Sequence, residues 1–107
     1  MRKETKKIAQ AFARGEAAKA ARTETDGRTV WLHGNRIAQR EDDGTVWVTL
    51  AGWGTVTTRE LLNGICDELV APFRFCQRDH SQRVVTAGGL FDVGEFDRVT
   101  IIEGGAA

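Results

Sequence analysis

Three turn signals punctuate the first half of the chain: Asp26-Gly27, Gly34-Asn35, and Asp43-Gly44 at the end of Glu41-Asp42-Asp43-Gly44. The runs between them are too short for helices and rich in β-branched and aromatic residues, so they read as short antiparallel strands joined by tight turns. Thr29-Val30-Trp31-Leu32-His33 is the first strand, Arg36 to Arg40 the second, and Thr45-Val46-Trp47-Val48-Thr49-Leu50 the third. In the third, a period of two sets Val46, Val48 and Leu50 on one face and Trp47 on the other. Trp31 and Trp47 are expected to pair across the sheet. Twelve glycines and a single proline, Pro72, suit such a meander better than a helical bundle.

Two segments break the strand pattern. After the glycine-flanked loop Ala51-Gly52-Trp53-Gly54-Thr55, the run Thr57-Thr58-Arg59-Glu60 reads as a capping box with Thr57 as N-cap. Leu61, Leu62, Ile65 and Leu69 follow at helical spacing, and Pro72 ends the helix. Residues 3–22 read as another helix, rich in Ala, Lys, Glu and Gln. Its apolar stripe rests on Ile8 and Phe12, so it needs a docking surface, and Gly15 weakens it. Strands are expected again at 73–77, 83–86 and 99–102. The fold class is therefore α+β: a basic N-terminal helix, an antiparallel β-meander, one central helix, then further short antiparallel strands. The domain division is an arm over 1–22, a body over 23–103 and a loose tail over 104–107.

Zero net charge over 107 residues conceals a division. Residues 1–22 hold seven basic side chains against two acids, a net +5, and the remaining 85 residues carry −5. Every lysine lies in the first segment. Two readings of this arm stand side by side: a basic surface for nucleic acid or an acidic protein, or a solvated face packed on its own acidic body. A head-to-tail or swapped homodimer fits the same division.

The stretch Leu32-His33-Gly34-Asn35-Arg36-Ile37-Ala38, followed by Ala51-Gly52-Trp53-Gly54-Thr55-Val56-Thr57-Thr58-Arg59-Glu60-Leu61-Leu62-Asn63, resembles a group of small uncharacterised proteins of tailed bacteriophages. There a G-N-x-I-A hairpin leads to a G-W-x-T-x-T-T-x-x-x-L-N helix start. The resemblance covers residues 25–87. It implies phage origin and a host-cell cytoplasmic setting, and brings no catalytic residue with it.

Candidate chemistry is sparse. Cys66, Cys76, His33, His80 and Asp79 match no zinc spacing and no nucleophile motif, so no metal, cofactor or catalytic residue is assigned and the chain reads as a non-enzyme. Both cysteines read as reduced thiols. The threonines at 55, 57 and 58 read as capping rather than as an anion site. No apolar run reaches the roughly 18–20 residues that cross a bilayer, and the charged N-terminus lacks a signal's apolar stretch, so no membrane partner is expected. Trp53 has two readings: an indole closed over the core with its N–H bonded to a loop carbonyl, which is preferred, or a projecting anchor beside Arg59. The hypothetical binding residues are Lys3, Lys6, Lys7, Arg14, Lys19, Trp53 and Arg59. The functional expectation is an accessory protein that binds a host or phage protein, countering host defence or redirecting host machinery. The alternative is a nucleic-acid module using the lysines and exposed tryptophans.

Overall fold

The computed structural model describes residues 2–105; Met1 and the last two residues of the expected tail lie outside the described residues. Helix α1 (Lys3–Ala13) opens the chain, followed by strands β1 (Ala18–Ala20), β2 (Thr23–Thr25), β3 (Thr29–Leu32), β4 (Asn35–Arg40) and β5 (Val46–Val48). Helix α2 (Val56–Glu68) then leads to β6 (Arg74–Arg78), β7 (Ser81–Thr86), β8 (Gly89–Asp92) and β9 (Val99–Ile102). The strands form two antiparallel sheets, one in the order β1-β2-β3-β4-β5-β9 and one in the order β6-β7-β8. The α+β class, the basic N-terminal helix, the meander, the central helix and the later strands are all present.

Alternation along the strands explains the core. Val30, Leu32, Val46 and Val48 point to one face of the large sheet, and α1 and α2 pack on it with Ile8, Phe12, Leu61, Leu62 and Ile65. Ile8 and Phe12 are 0% exposed, so the arm's apolar stripe is docked on its own body. Phe75 and Val84 carry the small sheet onto the same core.

The helix expected over 3–22 stops at Ala13. Its end is a Schellman motif: Glu16 N–H donates to the Ala11 carbonyl at 2.8 Å and Gly15 N–H to the Phe12 carbonyl at 3.1 Å, with Gly15 at φ +71°. Gly15 is thus the residue that ends the helix rather than a weak point inside it. Gly27 (φ +96°) presses against this turn, where a Cβ would stand 2.5 Å from the Gly15 carbonyl oxygen. The chain then returns as the hairpin β1–β2, whose Ala18-Lys19-Ala20 and Thr23-Glu24-Thr25 alternate about the sheet as strands do.

Two other expected boundaries move. The first hairpin turn is His33-Gly34, both at positive φ, with Leu32 paired to Asn35. The N-cap of α2 is Thr55, whose Oγ1 accepts from Thr58 N–H at 3.2 Å, and not Thr57. Glu60, five residues beyond Thr55, therefore falls outside the capping-box position, and its Oε1 accepts instead from the Arg2 backbone N–H at 2.7 Å. That bond ties the start of α1 to the start of α2. At the other end of the chain, Gly104 N–H donates to Thr45 Oγ1 at 3.1 Å and Gly105 N–H to the Asp43 carbonyl at 3.1 Å.

Candidate functional site: a basic groove between helix and edge strand

α1 divides its residues cleanly. Thr5, Ile8, Ala9, Ala11 and Phe12 are buried, while Lys3, Lys6, Lys7 and, just beyond the helix, Arg14 are exposed. Lys3, Lys7 and Arg14 follow one another at spacings of four and seven, which places them along one stripe of the helix. The stripe borders a groove of about 770 Å³ between α1 and β1, inside the ~300–1,000 Å³ range typical of ligand clefts. Lys6 lines it too, together with the acids Glu4 and Glu16 and a floor of alanines from both walls. Alanine side chains are what keep the space open. Lys7 Nζ reaches across and donates to the Lys19 carbonyl at 3.2 Å.

The structure brings four of the seven expected residues together here and sends the others elsewhere. Lys19 stands opposite Glu24, which stands opposite Trp31, on the far face of the large sheet. A second cleft of about 580 Å³ runs there past Lys19, Glu24, Trp31 and His33. Trp31 and Trp47 share that face but do not pair, because β4 lies between their strands and sets Arg36 opposite Trp31 and Gln39 opposite Trp47. Trp47 is only 6% exposed although it points away from the core. The guanidinium of Arg98 lies 4.2 Å and that of Arg36 5.6 Å from its ring centroid, and its Nε1–H donates to Glu41 Oε1 at 2.7 Å. Arginines cover this indole, and α1 lies on the other face of the sheet. Sequence reasoning missed Arg36 and Arg98, since their meeting over Trp47 depends on strand order.

Arg59 is anchored on the loop that carries Trp53. Arg59 turns inward and donates to the Gly54 carbonyl at 2.9 Å and to Gln82 Oε1 at 3.1 Å, clamping the loop to the small sheet. Trp53 is 52% exposed, so the preferred closure over the core does not occur. At the start of α2, Thr55 Oγ1 and Thr58 Oγ1 bond each other at 2.9 Å and Thr57 Oγ1 accepts from Arg2 at 3.0 Å, so all three threonine hydroxyls have partners within the chain.

Cys66 and Cys76 carry free thiols. Burial, reinforced by the charge of Asp67, pushes the Cys66 thiol up to about 12. Neither cleft that Cys76 lines contains a histidine. Among the described residues no group of three or more His, Cys, Asp or Glu side chains could hold a metal ion, and no helix is long and apolar enough to cross a membrane.

No curated protein and no solved structure matches the chain. The family model of the Kyanoviridae Gp96 protein matches residues 1–103, and the chain, whose hairpin and helix-start motifs already resembled small phage proteins, belongs to this phage protein family.

Proposed function

We propose that the protein is a non-enzymatic phage accessory protein that binds a host or phage protein through the basic side of α1. One observation carries the reading: α1 buries its apolar side in its own core and leaves Lys3, Lys6, Lys7 and Arg14 exposed along a single groove. The ion pairs among the described residues are Arg2–Glu60, Arg28–Asp42, Arg74–Asp67 and Arg83–Asp92. None uses a lysine, so the body's acids do not pair with the lysine charge, and it is available to an acidic partner. Binding of this kind in the host-cell cytoplasm would serve either to counter a host defence or to redirect host machinery. A nucleic-acid surface built from the helix lysines with Trp31 and Trp47 loses support, because α1 and the Trp31/Trp47 stripe occupy opposite faces of the large sheet.

The test is affinity capture from infected host cells with the wild type and with a Lys3→Glu/Lys7→Glu/Arg14→Glu variant. All three positions are exposed, and surface substitutions of this kind usually shift stability by no more than about 0.5 kcal/mol each. The expected result is one stoichiometric protein retained by the wild type and lost by the variant. Retention by both would sink the assignment to α1. Gel-shift binding of DNA or RNA that falls steeply as salt rises would move the function to nucleic acid.

A further inference from the structure

We propose that the groove between α1 and β1 receives an extended acidic peptide segment of the partner, added to β1 as a new edge strand. This rests on the basic side of α1 being a protein-binding surface, and it names the form of the ligand. β1 is the outermost strand of the large sheet, so one side of its backbone has no strand beside it. Lys19 is the residue that faces outward. Its carbonyl accepts from the Lys7 ammonium, and in an antiparallel strand the N–H and C=O of one residue point to the same side. Lys19 therefore presents both a donor and an acceptor to an incoming strand, in the manner of β-strand addition. The Lys7 ammonium caps the acceptor with a single exposed bond at 3.2 Å, which a peptide N–H can replace.

The opposite wall of the groove selects the side chains. Lys3 and Lys7 are separated by four residues of helix, a rise of about 6 Å. Side chains on one face of a strand repeat every two residues, about 6.6 Å. A strand with an acid at every second position would thus meet the basic stripe nearly in step. Its intervening residues would turn from α1 toward the outer side of the sheet, where Lys19 stands opposite Glu24. The alanine floor leaves room for a backbone but offers little apolar area, so charge and main-chain bonds supply the affinity. Glu4 and Glu16 border the same groove and disfavour segments with acids at every position.

The full-length protein would be titrated at low salt with a fluorescein-labelled peptide of alternating aspartate and alanine. Two further peptides carry N-methyl groups, one on the aspartates and one on the alanines, and an oligothymidylate is the fourth probe. The parent peptide is expected to bind, and to slow hydrogen exchange of the Lys19 amide. Methylation of the set that faces β1 is expected to weaken binding roughly tenfold or more, because a lost main-chain bond leaves its partner unpaired, while methylation of the other set leaves binding near the parent's. Equal binding by all three peptides, lost in the Lys3→Glu/Lys7→Glu/Arg14→Glu variant, would overturn strand addition and leave the basic surface standing. Peptide binding unchanged in that variant would remove the surface as well. Failure of the parent peptide to bind at millimolar concentration, or binding of the oligothymidylate alone, would overturn the proposal outright.

Discussion

Arg40 lies on the core side of β4, paired with Val46, where a charged residue is unexpected. Its guanidinium donates to the Phe12 carbonyl at 2.9 Å and to the Gly27 carbonyl, and it lies 4.5 Å over the Phe12 ring. It thereby joins the end of α1, the β2–β3 turn and the large sheet through one planar group, a task that lysine's point charge cannot perform. Burial, and then the charge of Arg28, lower its pKa from the ordinary arginine value. Cys66 is the opposite case, a titratable group with no polar task. Its folded-state value of about 12 lies above the ordinary 9.0, so the unfolded chain releases the proton first. Stability tied to this thiol is intact below the ordinary value and is lost as pH rises through the interval up to about 12, by at most about 1.4 kcal/mol per pH unit. Urea unfolding of the wild type and of Cys66→Ala at pH 8, 9.5 and 11 isolates that slope. The cavity left by Cys66→Ala adds a constant, whereas the pH-dependent part of the difference should grow above pH 9. A difference that stays flat to pH 11 would show that the thiol titrates alike in both states.

At the scale of elements, the two helices end in the same way with different residues. α2 closes with Ala71 N–H on the Cys66 carbonyl at 2.8 Å and Val70 N–H on the Asp67 carbonyl at 3.2 Å, the Schellman pattern that also ends α1. Gly15 fills the left-handed position in α1, but in α2 it is Val70, at φ +55°. A β-branched residue is strained there, and Val70 is 88% exposed, so no packing offsets the strain. Val70→Gly should therefore stabilise the protein by about 0.5–1 kcal/mol, after allowance for the greater freedom of glycine in the unfolded chain. Thermal melts would register a rise of a few degrees; a fall would mean that Val70 makes a contact worth more than its strain. These ends also show what was legible in advance. Apolar periodicity located α2, and turn chemistry located the meander, because both are local signals. The ends are less legible because several residues compete for each role: Thr55 rather than Thr57 caps α2, and the Schellman turn at Gly15, on which Gly27 packs, stops α1 well before its alanines and lysines run out. Residues 18–20 read as helix because alanine and lysine favour helices, although Ala18-Lys19-Ala20 already alternates with period two and pairs with Thr23-Glu24-Thr25 just past the expected arm boundary.

For the whole molecule, the clustering of lysine was legible because it is linear, and four of the seven expected residues do line one groove. That Trp31 and Trp47 lie opposite α1 was legible only in part: alternation sets Trp47 apart from Val46 and Val48, but which of the two faces α1 docks on is not a local signal. The same dependence governs the small sheet, which joins the body through α2. Asn63 supplies the join: its side-chain amide accepts from Phe75 N–H at 2.6 Å and donates to the Phe75 carbonyl at 3.0 Å. One side chain thus mimics a neighbouring strand for one residue of β6. Arg59 and Gln82 form a second clasp through the Gly54 carbonyl, and Phe75 and Val84 supply the apolar contact. Asn63→Ala would leave both main-chain groups of Phe75 without their partner, at a cost of about 1–3 kcal/mol. Because the large sheet holds α1 and most of the core independently of Asn63, that cost should fall on local opening rather than on global unfolding. Hydrogen exchange should accelerate across 74–92 and stay near wild type across 29–48. If both sheets accelerate equally, the two unfold as one cooperative unit and Asn63 is no hinge. If neither does, Phe75 and Val84 hold the small sheet by burial alone and the amide pairing is dispensable.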